Sequence, residues 1–210
     1  IVGIGVAVSA LTSFLTINIF WDAAQNLVNR AGFAMLIIWF LPLILIFPMQ
    51  NAAMKNKPTA LPMFIGFSVL MGFMMSFPIA AYTASDVTLA FVSTAGMFFG
   101  LSVYGRTTKR DLSGMGRAMM GMLIGLIIAG VINIFLRSPM VVFVSSIISV
   151  LVFSGLIAWD NQKIEHVYRQ NNGNVSNGWA ISMALSLYLD FINLFLSLLR
   201  IFGFMGNSRD

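Results

Sequence analysis

Long apolar runs broken by short polar connections make up nearly the whole chain. Mostly apolar stretches fall at about 1–20, 31–50, 60–83, 86–105, 117–136, 139–160 and 179–204. A helix needs about 20 such residues to cross the hydrocarbon core of a bilayer. The pattern therefore predicts an all-α membrane protein, a bundle of seven transmembrane helices in a single integral membrane domain over residues 1–210. The connections carry most of the charge: "WDAAQNLVNR", "NAAMKNKP", "TASD" and the strongly basic "GRTTKRDLSGMGR". "RSP" opens the sixth span, with Ser138 as N-cap and Pro139 at the first helical position. "NQKIEHVYRQNNGNVSNG" separates the last two spans. Its first half reads as an amphipathic continuation of the sixth helix and its Asn/Gly half as a loop. No stretch remains for a soluble domain.

Composition agrees with the pattern. The chain is 59% hydrophobic and only 9% charged, against about 45–50% and about a quarter in ordinary globular domains. Too little polar surface exists to cover a water-soluble body, so the partner is the lipid bilayer. The net charge of +5 is no nucleic-acid signal, because the basic residues lie in short loops between apolar runs. Their distribution gives an orientation instead. Lys55, Lys57, Arg106, Lys109, Arg110, Arg117, Lys163 and Arg169 fall in alternate connections, and the intervening ones hold Arg30 and Arg137. The positive-inside rule then places the N-terminus in the cytoplasm and the C-terminus outside. Trp21, Trp159 and Trp179 stand near span ends, as interfacial aromatics do. The first residue is Ile, and a natural N-terminal segment is expected to precede it.

The last span, "ALSLYLDFINLFLSLLRIFG", carries a carboxylate where a simple anchor would exclude one. At about 100° per residue, Ser182, Ser186, Asn193, Ser197 and Arg200 share with Asp190 a stripe roughly 80° wide. Such a stripe should face other helices or water. A mid-span Asp costs about 2.5–3.5 kcal/mol on insertion, and intramembrane carboxylates mark ion paths, proton relays or structural pairs. Arg200 lies about 15 Å along the helix from Asp190 and reads as snorkelling to the interface. Asp86 reads as an N-cap of the fourth span. Asp160, in "GLIAWDNQKIEHVY", reads on spacing as an interfacial residue with Lys163 three positions on, and a site role is the sharper alternative.

Other chemistry is thin. There is no Cys, and the single His166 lies in the charged extension of the sixth helix as a solvated residue. No nucleophile–His–acid set and no zinc cluster assembles, so no catalytic residue, enzyme activity or cofactor is expected. Gly121 and Gly125 form a small-xxx-small pair suited to close helix packing. The 15 methionines fill the bundle, and Pro42, Pro48, Pro62 and Pro78 bend helices.

"LSLYLDFINLFLSLLRIFG" resembles the C-terminal signature of the Bax inhibitor-1 family, the transmembrane Bax-inhibitor-motif proteins, in its bacterial YccA/YetJ-like branch. Tyr188, Asp190, Asn193, Leu194, Phe195, Leu199, Arg200 and Gly203 fall in register. "AWDNQKI", with Asp160, Gln162 and Ile164 at alternate positions, is similar to the family's end of the sixth helix, and "SFPIAAY" and "INIF" add weaker matches. The resemblance implies a seven-helix bundle with the C-terminal helix central. It also implies a proton-sharing pair, Asp160 and Asp190, coupled to a pH-dependent calcium leak across a bacterial inner membrane. Two carboxylates close together in a poorly hydrated site do not both ionise readily, so the pair titrates as a unit. Deprotonated, it offers calcium hard oxygen ligands. The family's latching arginine near the end of the second helix has no counterpart in "QNAAMKNKP"; Lys55 and Lys57 stand there without a planar fork. Some bacterial relatives instead regulate a membrane-bound quality-control protease, which makes a non-conducting regulator the alternative. Straight helices counted at about 1.5 Å per residue would hold Asp160 near the edge and Asp190 about 16 Å deep. Pairing therefore calls for tilt or for a loop that dips inward.

Overall fold

The computed structural model describes residues 1–31 and 34–206, with the side chains of 31–39 outside that description. Among the described residues there are eight helices and no strand. They are α1 (Val2–Asn18), α2 (Trp21–Ala31), α3 (Ala34–Met54), α4 (Ala60–Ile79), α5 (Ala84–Thr107), α6 (Ser113–Leu136), α7 (Pro139–Gln170) and α8 (Asn177–Gly206). Five of these, α4 to α8, are long and apolar enough to cross a membrane. α1 and α2 meet at a break bent by 88° and make a sixth if counted as one broken span. The expected span at 31–50 overlaps residues 32 and 33, which lie outside the described residues; α3, Ala34–Met54, covers most of the rest of it.

Caps explain several boundaries. Ser138 Oγ accepts from the Val141 N–H at 3.4 Å, with Pro139 next in line, so α7 begins as the sequence predicts. α7 also runs on through the charged segment to Gln170. α5 is capped differently from expectation. Thr83, not Asp86, is its N-cap: Thr83 Oγ1 accepts from the Asp86 N–H at 3.1 Å and donates to the Asp86 carboxylate at 2.7 Å. Both bonds run through the Thr83 hydroxyl, which links the cap to the first turn. α2 was not foreseen, because "WDAAQNLVNR" is too polar for a span and reads as a loop.

The chain forms two compact units. Among the described residues, one holds 1–31 and 34–81 with 175–188, the other 82–174 with 189–206, so α8 contributes to both. In the first unit α1 packs along α4. A Cβ on Gly72 would lie 2.4 Å from the Ser9 carbonyl oxygen, so only glycine permits this approach. Close backbone contact of this kind holds helices together where lipid removes the hydrophobic drive. Ser9 Oγ donates to the Ser68 carbonyl at 2.8 Å. Its one proton is then used, so the Tyr188 hydroxyl donates to it at 2.6 Å. Phe64 and Phe67 meet the Tyr188 ring edge-on, with centroids 5.5 and 6.1 Å away. The loop after α3 is tied to the start of α8 by the Gly178 N–H donating to Asn56 Oδ1 at 2.8 Å.

In the second unit α7 is the common partner of α5 and α6. Gly105 of α5 sits against the Ala158 carbonyl, and Gly116 of α6 against the Trp159 indole. Gly121 and Gly125 do not pack as expected: a Cβ on either would meet nothing within 4 Å. α6 packs along α7 through another face, closest at its N-terminal turns, where Met115 and Met119 lie over Gly155. The 189–206 part of α8 packs by aromatic edges, Phe191 against Phe91 and Phe98, with Phe204 stacked on Phe143 at 4.4 Å.

Candidate functional site

Asp160 and Asp190 both belong to the second unit, and both are buried, at 5% and 7% exposure. Asp160 is therefore not the solvated interfacial residue its spacing suggests; Lys163 is exposed and lies over the Trp159 ring at 5.7 Å. The two carboxylates lie within electrostatic reach of each other. α7 stays helical past Asp160, with Asn161 buried and the residues beyond it half-buried or exposed.

Local structure positions each acid. Next to Asp160, Asn161 is 1% exposed and is tied down on three sides. Its Nδ2 donates to Ser102 Oγ at 3.1 Å and to the Ile157 carbonyl at 2.8 Å, and its Oδ1 accepts from Arg106 Nε at 3.3 Å. This amide joins α5 to α7 one residue from the acid. Asp190 is flanked by Phe191, gripped by Phe91 and Phe98. Its Oδ2 is buried without a hydrogen-bond partner, and Ser154 Oγ of the same unit is likewise unpartnered. Buried polar atoms in native folds are nearly always paired, so such orphans point to an unmet proton, water or ion.

The predicted stripe is real but differs in burial from end to end. Ser182, Ser186 and Asn193 are half-buried and Arg200 is exposed, whereas Asp190 and Ser197 are buried. Leu189 and Leu196 are the half-buried apolar positions on that side of α8. The least buried face of the helix is thus the face that carries the hydroxyls, and Asp190 stands at its edge. Ser182 Oγ donates to Gln50 Oε1, Asn193 Nδ2 to the Leu189 carbonyl at 2.8 Å, and Ser197 Oγ to the Asn193 carbonyl at 2.7 Å. Arg200 lies near Tyr82 and is exposed by surface area. Lys55 and Lys57 are both exposed in the connection after α3. His166 is exposed and shares a hydrogen bond with Gln170 at 2.8 Å.

Sequence reasoning missed Asn161 and the Ser9–Tyr188–Ser68 cluster. A signal existed for both. Ser9 and Ser68 are small polar residues inside apolar runs, and Asn161 directly follows the acid.

The model of the family described as "Inhibitor of apoptosis-promoting Bax1" matches residues 1–208. The chain belongs to the Bax inhibitor-1 family. YrjE of Lactococcus lactis is 54% identical over 210 residues, covering 100% of this chain and 90% of its own. A membrane protein of Streptococcus pyogenes serotype M1 is 50% identical over 206 residues, 97% of this chain and 89% of its own. YbhL of Escherichia coli K12, described as an inner membrane protein, is 40% identical over 199 residues, 90% of this chain and 85% of its own. The Bax inhibitor-1 assignment and the apolar helices agree that this is a membrane protein.

Proposed function

We propose that this protein is a pH-sensitive, calcium-permeable leak channel whose gate is the Asp160–Asp190 pair. In this reading the chain is a seven-span bundle with α8 at its centre, N-terminus in the cytoplasm. The carrying observation is a buried carboxylate, Asp190, with an unpartnered oxygen and a second buried acid in electrostatic reach. Two features support it further. α8 has 72% of its most apolar stretch buried, more than any other candidate span among the described residues. Its least buried face is lined by Ser182, Ser186 and Asn193, a set of groups that suits a hydrated ion.

Calcium fits as cargo rather than as a resident ion. It takes about six to eight oxygens, and two carboxylates supply at most four. Among the described residues no group of three or more His, Cys, Asp or Glu side chains gathers to complete a closed site. A passing ion keeps water in its remaining positions. With one proton the pair is a hydrogen-bonded clasp carrying a single charge. Without it, two negative charges attract a cation and repel each other. Proton binding thus changes both the charge on the path and the packing of α8. The reading assigns no catalysis.

The test is calcium flux into proteoliposomes of the purified full chain across about pH 5.5–8. Wild type should show a pH-dependent flux, and Asp190→Asn should flatten the profile. An Asp190→Asn protein with unchanged flux and profile removes the mechanism. Absence of flux from pure wild type would turn the reading to a regulator of other membrane proteins, such as a protease.

A further inference from the structure

A second site, whose wall includes neither aspartate, lies where α5 ends, α6 begins and the polar extension of α7 runs alongside. It is a cleft of about 960 Å³ within the second unit. Its wall holds five cations, Arg106, Lys109, Arg110, Lys163 and Arg169, against two carboxylates, Asp111 and Glu165. The net of three positive charges is more than half of the chain's +5.

Both carboxylates are already engaged. Glu165 pairs with Arg169 one turn on, and Asp111 Oδ1 accepts from the Ser113 N–H at 2.9 Å. Among the described residues Lys109, Arg110 and Lys163 enter no ion pair. The cradle beneath them is built rather than loose. Gln162 of α7 accepts from the Leu112 N–H at 2.8 Å and donates to the Arg110 carbonyl at 2.7 Å. One side chain thereby pins the connection between α5 and α6. The Trp159 indole, with the Lys163 ammonium over it, forms an apolar wall at the level where the spans end.

The excess of positive charge over carboxylates in this wall, on a preorganised backbone, selects an oxyanion. We propose that this cleft binds a phosphate-bearing anion, with Lys109, Arg110 and Lys163 as its charge-matching contacts. Two sources share that chemistry: the headgroup of an anionic phospholipid and a soluble phosphate ester. The proposal is independent of the calcium reading, and either stands if the other fails.

Thermal unfolding of the full chain in neutral detergent tests it and separates the sources. Short-chain phosphatidylglycerol, the same concentration of phosphatidylcholine, and inorganic pyrophosphate are the three additions. A rise in Tm with phosphatidylglycerol alone identifies a headgroup site, and a rise with pyrophosphate identifies a soluble one. Lys109→Gln/Lys163→Gln should weaken the effective anion about thirty-fold, since each cation near an anionic headgroup is worth about fivefold. Both residues are exposed, so the unliganded Tm should hold. Arg30→Gln/Arg137→Gln removes the same charge elsewhere and should leave the affinity unchanged. No Tm rise with either anion overturns the proposal. So does an equal loss in the two double variants, which would mean diffuse attraction to a basic protein.

Discussion

α6 and α8 are both long apolar helices, and their environments are opposite. α6 is the more apolar of the two, yet none of its most apolar stretch is fully buried, whereas 72% of that of α8 is. In water the order would be reversed. In lipid a Leu or Ile gains nothing by leaving the hydrocarbon, so Ile124, Ile127 and Ile128 stay exposed at no cost. Hydroxyls and carboxylates gain a great deal by finding partners, so the helix that carries them is drawn inward. Apolarity identifies a span; polar content tells which span is enclosed.

The comparison breaks most readily with a charge on α6. Ile124 is 61% exposed near the helix centre. Ile124→Asp should cost about 3 kcal/mol of insertion and sharply lower the yield of folded protein recovered from membranes. Ser186→Asp, on the half-buried polar face of α8, should be recovered far better. Equal yields would mean that the exposed side of α6 does not meet lipid.

A smaller effect, with opposite signs on the two helices, comes from adding one methyl group. A Cβ on Gly178 of α8 would lie 1.9 Å from the Ala53 carbonyl oxygen, and one on Gly125 of α6 would meet nothing within 4 Å. Gly178→Ala should destabilise by about 1–3 kcal/mol through overpacking. Gly125→Ala should stabilise by about 0.5–1 kcal/mol, because the helix loses a flexible residue and no contact. Thermal unfolding in detergent reads both. If Gly125→Ala destabilises as much as Gly178→Ala, α6 packs on something through that face.

The same two helices show what the sequence made legible. The α8 stripe was readable because polar residues are rare in apolar runs, and periodicity groups the few that occur. The buried state of Asp190 followed from it. On α6 the Gly121–Gly125 spacing misled, because small residues permit close packing without requiring it. Asp160 was ambiguous for a different reason. Its neighbours Lys163 and Glu165 are charged, yet α7 buries one side through Asn161 and exposes the other. Spacing along one helix cannot report which side meets α5. α2 was missed because its signal is amphipathicity over 11 residues rather than apolarity over 20 or more. Gln162 was missed because its task is to hold backbone groups 50 and 52 residues away. No local pattern encodes such a contact.

The smallest effect concerns how α6 is anchored. α8 is buried along most of its length, whereas α6 packs on α7 through one half-buried face; its first turns come closest, where Leu112 and Gly116 meet the Gln162 and Trp159 side chains. Asp111 shapes the entry to those turns. Hydrogen bonds from the Ser113 hydroxyl, then from its backbone N–H, hold the Asp111 carboxyl below its ordinary value of 3.8, with Arg117 and His166 adding a weaker pull. A carboxyl lowered in the fold contributes stability that is present above the unfolded value and lost as pH falls through the folded one. The group is fully exposed, so solvent screens the gain. Asp111→Ala should therefore lower Tm by about 2 °C or less at neutral pH, and the gap from wild type should close below about pH 3.8. A gap that persists unchanged at low pH would assign the loss to the backbone turn rather than to the charge. A large gap at neutral pH would mean that α6 depends on its N-terminal anchor far more than its exposed flanks suggest.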